Sequence, residues 1–185
     1  MMNGQQGRLV AALAGRRIDA SDDDRRRFPT EQIPAVRKAL RDIFEQEKIQ
    51  VLVSSAACGA DLLALDVALK LGVQCHVILP FAIEQFRTTS VTDRGSEWGA
   101  LYDAILATVS NNGTLVVLDG KGEADSAYSV ATRRIIERAL EVASPQLPIA
   151  VIVWDGEPRD GTDATAEFRR LAIKAGMPVR VVSTC

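Results

Sequence analysis

The chain has 185 residues, of which 47% are hydrophobic and 25% charged, and its formal net charge is −2. This suits one globular domain with a substantial core. It offers no apolar run long enough to span a bilayer and no bulk basic charge, which argues against a nucleic-acid partner. Residues 1–7 lack the basic and apolar regions of a signal peptide and read as a disordered leader, so a cytoplasmic location is expected. Residues 8–185 then form the single domain. The three cysteines, Cys58, Cys75 and Cys185, fit neither a disulfide framework nor a zinc site. The lone histidine, His76, sits inside an apolar strand pattern, which makes a Ser-His-Asp triad improbable.

Arg8 to Ala14 is the first strand, without alternation and hence buried on both faces. It ends at Gly15-Arg16-Arg17. A polar loop follows, carrying Asp22-Asp23-Asp24 and Arg25-Arg26-Arg27, two charge blocks that cancel. Thr30 is a candidate N-cap, with Pro34 in the first turn of an amphipathic helix marked by Ile33, Val36, Leu40, Ile43 and Phe44. The second strand, Val51-Leu52-Val53, runs into the small-residue turn Ser54-Ser55-Ala56-Ala57-Cys58-Gly59 and a helix opening at Ala60-Asp61. That helix is apolar nearly all round and closes at Gly72. The third strand stops at Pro80-Phe81. Ala82 to Glu97 reads as a long connection containing Phe86, Arg87 and Ser90, and connections of that length are commonly functional.

Trp98, Leu101, Ile105 and Val109 mark a third helix, stopped by Asn111-Asn112-Gly113. Thr114 to Leu118 is a fourth buried strand, ending at Asp119-Gly120-Lys121-Gly122. A fourth helix spans about Ser126 to Ala143. The fifth strand, Leu147 to Val153, ends at Trp154-Asp155-Gly156. Thr162 or Asp163 caps a fifth helix, and Pro178 to Val182 is the last strand. Apolar strands alternating with helices predict an α/β, doubly wound, Rossmann-like parallel sheet of six strands with helices on both faces. The expected strand order is 3-2-1-4-5-6, with ligands bound beyond the carboxyl ends of the strands.

The unusual residues gather at those ends. Backbone N–H groups at Cys58-Gly59-Ala60, with a helix start behind them, favour an anion such as phosphate. Gly59 alternatively just relieves crowding in a tight turn. Cys58 is either a small filler or a thiolate favoured by the helix start. Asp61 caps its helix or serves as a base. Arg16 or Arg17 would grip phosphate with a planar fork, or pair with the acidic loop. Asp119 and Asp155 would bind ribose hydroxyls or act as bases, or merely shape the turns before Gly120 and Gly156. Phe81, Tyr128 and Trp154 would stack on a base or seal the core. Neither G-x-G-x-x-G nor a P-loop pattern is present, and no cofactor or metal-ligand cluster is visible.

At Gly15-Arg16-Arg17, Ala56-Ala57-Cys58-Gly59-Ala60-Asp61, Leu79-Pro80-Phe81, Phe86-Arg87-Thr88-Thr89-Ser90-Val91 and Trp154-Asp155-Gly156, the chain resembles the SLOG superfamily of SMF/DprA and Lonely Guy-like Rossmann proteins over about residues 8–182. The resemblance implies binding or sensing of a nucleotide or nucleotide-derived ligand, in some members within bacterial signalling or defence. The implied ligand-binding residues are Gly15, Arg16, Arg17, Ala57, Cys58, Gly59, Ala60, Asp61, Pro80, Phe81, Arg87, Ser90, Asp119, Gly120, Tyr128, Trp154, Asp155 and Gly156. One alternative is an N-glycosidic-bond hydrolase of the Lonely Guy or deoxyribosyltransferase kind, with Asp119, Glu123 and Asp155 as candidate acids. Lonely Guy enzymes carry Pro-Gly-Gly-x-Gly-Thr-x-x-Glu after the fourth strand, where this chain reads Asp119-Gly120-Lys121-Gly122-Glu123. That difference points away from hydrolysis. A second alternative is single-stranded DNA binding of the DprA kind. A homodimer packed through helices is also an expectation.

Overall fold

The structure, a computed structural model, describes residues 8–21, 23–111, 114–120 and 124–185. The expected leader at 1–7, the Asn112-Gly113 turn and the candidate acid Glu123 lie outside the described residues. The strands are β1 (Val10–Gly15), β2 (Val51–Ser54), β3 (Gln74–Leu79), β4 (Leu115–Val117), β5 (Ile149–Trp154) and β6 (Val179–Ser183). The helices are α1 (Ile33–Gln46), α2 (Ala60–Lys70), α3 (Ile83–Ser90), α4 (Glu97–Asn111), α5 (Ala124–Ala143) and α6 (Ala164–Lys174). All the strand pairs are parallel. No helix among the described residues is long and apolar enough to cross a membrane.

The strands read as continuous apolar runs because each face of the sheet has its own core. Alternate residues point to opposite faces. Ala11, Leu13, Leu52, Val77, Leu79, Val151 and Val153 face α1, α2 and α4. Val10, Ala12, Val51, Val53, Ile78, Ala150, Ile152 and Trp154 face α5 and α6. α2 is buried nearly all round because it sits between the sheet, α1 and α4.

The strand order is β4-β3-β2-β1-β5-β6, not the expected 3-2-1-4-5-6. The fourth strand joins the edge beside β3, with Val77 opposite Leu115, and β5 takes the place beside β1. The exposures explain this. A strand beside β1 must be buried on both faces, whereas Val116 is 39% and Val117 43% exposed. α5, twenty residues long and so about 30 Å, carries the chain from that edge back across the sheet. The switch between the two halves therefore lies between β1 and β5. Two smaller expectations are also corrected. Thr30 opens a short 3-10 turn, and Gln32 occupies the N-cap position of α1. The connection 82–97 contains α3 and a second 3-10 turn, Thr92–Arg94.

Candidate functional site

A cleft of about 240 Å³ opens at the carboxyl ends of β1 to β3. Its walls come from the strand ends (Leu13, Gly15, Pro80), the β2–α2 turn (Ala57, Asp61), the β5–α6 loop (Arg159, Thr162) and α5 (Tyr128). Gly15 must be glycine, since a Cβ would lie 2.5 Å from that of Ala60 and 2.6 Å from the Val153 carbonyl.

The adjacent arginines after β1 have opposite fates. Arg16 is 2% exposed and turns inward to the β5–α6 side. Its Nε donates to Asp155 at 3.0 Å and its Nη1 to Asp163 at 2.8 Å, while Nη2 reaches the Glu157 carbonyl. Asp163 is also the N-cap of α6, accepting from the Thr165 and Ala166 amides. Asp155 is further paired with Arg27 at 2.7 Å. Burial acts to raise the Asp155 carboxyl, but the hydrogen bond and charge of Arg16, with Arg27 behind, hold it below the usual carboxylate range. Asp155 is therefore an ionised structural partner and is not placed to protonate a leaving group. The Trp154 ring has the guanidinium groups of Arg16 and Arg169 over it, at 5.6 and 5.8 Å. This contact stacks Trp154 on cations of the protein itself.

Arg17 lines the cleft, as do Arg16 and Arg159, and differs from Arg16 in keeping an unused donor. One Nη reaches Asp93 and, at 3.6 Å, the Cys58 sulfur, while its Nε–H is buried without a hydrogen-bond partner. Burial raises the Cys58 thiol, against the pull of Arg17, so the thiolate expected at the helix start is disfavoured.

The β2–α2 turn differs from the expected phosphate cradle. The Cys58 amide donates to the Ser90 carbonyl and the Ala60 amide to the Arg16 carbonyl, each at 3.0 Å. These N–H groups are occupied by the chain itself. Gly59, at φ +95°, lets the β1 loop cross at close range: a Cβ there would stand 2.5 Å from the Ile18 nitrogen and 2.8 Å from the Arg16 oxygen. The crowding explanation for Gly59 fits this geometry. Because these neighbours are backbone atoms, Gly59→Ala is expected to lower stability by about 1–3 kcal/mol, read as a drop in thermal midpoint.

Asp61 lies in the first turn of α2 and faces the cleft. Its Oδ2 accepts the Ala57 amide at 3.2 Å. Burial outweighs that bond and the charge of Arg17, pushing the carboxyl up to about 7. Ser90 and Tyr128 share a hydrogen bond of 2.6 Å across the cleft wall. Phe81 packs edge-on against Tyr128, with ring centroids 5.4 Å apart, and so supports the cleft from behind. Gly120 gives the backbone room against Pro80 and Phe81.

Arg87 turns away to Asp103 on α4, with bonds of 2.9 and 2.8 Å. Asp119 is exposed and Gly156 forms an open turn; neither lines the cleft. In the acidic run, Asp23 accepts from the Ala20 amide and Arg94. His76 accepts from Arg138 at its Nδ1, while its Nε2 is buried without a partner. Arg159 is the charged residue shared by the cleft and the loop after β5 that the sequence did not single out. Its only signal was its place in the loop after a central strand, and that strand's place became known only with the sheet order.

No protein-family model matches the sequence, and no curated protein is similar enough to match. Solved structures match in fold. DNA processing protein A from Helicobacter pylori, in a structure described as giving insight into its single-stranded DNA binding mode, superposes with a TM-score of 0.59 at 16% identity, over 95% of this chain and 65% of that one. DNA processing protein A from Streptococcus pneumoniae has a TM-score of 0.46 at 17% identity, over 95% and 59%. This chain thus spans less than two thirds of either protein. The first match shows the fold alone, a Rossmann-like α/β architecture. It also overturns the expectation against a nucleic-acid partner. A protein of this fold is described as binding single-stranded DNA, so a net charge near zero is no argument against one: total charge says nothing of where the arginines gather.

Proposed function

We propose that the cleft binds one nucleotide unit of a single strand of nucleic acid. The observation that carries this reading is Arg17, whose buried Nε–H has no hydrogen-bond partner, in a cleft that it lines together with Asp61, Tyr128 and Arg159. A phosphate oxygen is a suitable acceptor for that donor, and Tyr128 supplies an aromatic edge for a base. The cleft volume of about 240 Å³ lies below the roughly 300–1,000 Å³ of sites for drug-sized ligands, which suits one base and sugar better than a dinucleotide cofactor. The single-stranded DNA binding described for the Helicobacter pylori protein supports the same reading.

Fluorescence anisotropy of a labelled oligothymidine tests it. Affinity is expected to fall steeply with salt, and Arg17→Gln to weaken binding about tenfold and to reduce the salt slope by about one. Binding that ignores salt, or an Arg17→Gln variant that binds like the wild type, would reject the reading. A second reading, a free nucleotide-derived ligand in a sensing role, is favoured by the carboxylates paired with Arg16, Arg25, Arg27 and Arg94 around the rim. It predicts nucleoside monophosphates that bind as tightly as the oligonucleotide.

A further inference from the structure

We propose that the loops after β1 and β5 form a second anion site, centred on Arg159, which takes the next phosphate of the bound strand. A second cavity, of about 260 Å³, is lined by Asp19, Asp23, Arg25, Arg27, Arg94 and Arg159. Four cations face two carboxylates, and those carboxylates are already engaged. Asp19 accepts from the Arg27 and Phe28 amides, and Asp23 from the Ala20 amide and Arg94. Arg25, Arg27 and Arg94 each have an ion-pair partner. Among the described residues the Arg159 guanidinium has none, and its Nε–H is buried without a hydrogen-bond partner.

The surroundings of Arg159 are adverse to its charge. Burial, then the charges of Arg16, Arg27 and Arg94, push its guanidinium below its ordinary value, against the opposing pull of Asp163. Its backbone is nevertheless held in place, since its amide donates to Asp163 at 2.7 Å. The loop therefore holds Arg159, which has no ion-pair partner among the described residues, beside Arg25, Arg27 and Arg94, on a cavity whose carboxylates Asp19 and Asp23 are already engaged. A phosphate satisfies this arrangement because its oxygens spread around a tetrahedron and accept from several guanidinium forks at once. Arg159 also lines the first cleft, so the two sites are contiguous. The assignment of that phosphate to a strand rests on the proposed function; the anion site itself does not.

The test separates the two. In spectra of the ¹⁵N-labelled full chain, the Arg159 Nε–Hε signal, identified by its loss in Arg159→Gln, is expected to shift saturably with sodium phosphate and not with sodium chloride at equal ionic strength. Arg94→Gln is expected to weaken that phosphate binding about tenfold, the worth of a charged hydrogen bond. No saturable shift, or unchanged affinity in Arg94→Gln, overturns the site. The strand is probed with thymidine monophosphate and the 5′-phosphorylated dithymidine dinucleotide. The dinucleotide is expected to bind about tenfold tighter, and Arg94→Gln, at a residue that lines the second cavity but not the first cleft, to remove that advantage while leaving the mononucleotide unaffected. Equal affinities in the wild type overturn the strand assignment. Failure of both nucleotides alongside a saturable phosphate shift rejects the proposed function and retains the anion site.

Discussion

Replacing Arg16 by methionine is expected to lower the free energy of unfolding by about 3–5 kcal/mol, seen as a lower urea midpoint at unchanged m-value. The side chain ties the end of β1 to the end of β5 and the N-cap of α6. Its partners Asp155 and Asp163 are each 5% exposed and both sit below their ordinary titration range. Methionine fills much of the volume but leaves two buried carboxylates short of a cation. Arg27 still serves Asp155, whereas Asp163 keeps only amide donors. Lysine is expected to rescue little, because a single ammonium cannot reach two carboxylates and the Glu157 carbonyl as the planar fork does. Arg26→Met, which breaks the exposed pair with Glu31, is expected to leave the midpoint unchanged. Equal midpoints for Arg16→Met and Arg26→Met would show that the inward ion pairs do not hold β1 to β5.

The contrast between Arg16 and Arg17 marks the limit of what the residues alone convey. They are neighbours of one chemistry, and their separation into a strut and a cleft donor depends on Asp155, Asp163 and Asp93, far away in the chain. Gly59 poses the same problem. Its residue type signals a close approach, but the approaching group is the backbone at Arg16 to Ile18 rather than a ligand. The six strands were legible because buried parallel strands form continuous apolar runs. The place of β4 was not, since an apolar triplet does not reveal which faces are covered. α3 was obscured by its composition, with a single turn of apolar contact through Phe86 and threonines that favour helix weakly. The unusual residues gather at the strand ends, where the cleft opens. That gathering did not show which of those residues the fold itself would engage.

Asp61 carries the second large effect. Its carboxyl titrates at about 7 in the folded chain against an ordinary value of 3.8. Below the lower value it is protonated in both the folded and unfolded states, and folding carries no penalty. Between the two the unfolded chain gives up its proton while the folded chain keeps it, so stability falls with rising pH by about 1.4 kcal/mol per unit. Above 7 the loss levels off at up to about 4 kcal/mol. Asp61→Asn keeps an oxygen for the Ala57 amide and carries no charge at any pH. It is expected to match the wild type at pH 4 and to exceed it by up to about 4 kcal/mol at pH 8, in urea unfolding at each pH. A difference independent of pH would refute the burial of an ionisable group there. The same proton bears on binding. A phosphodiester held by Arg17 adds negative charge beside Asp61 and draws on the same guanidinium that favours the ionised carboxyl, so a bound strand favours the neutral acid. Oligothymidine affinity is therefore expected to rise as pH falls from 8 to 6 in the wild type, and to stay flat over that range in Asp61→Asn.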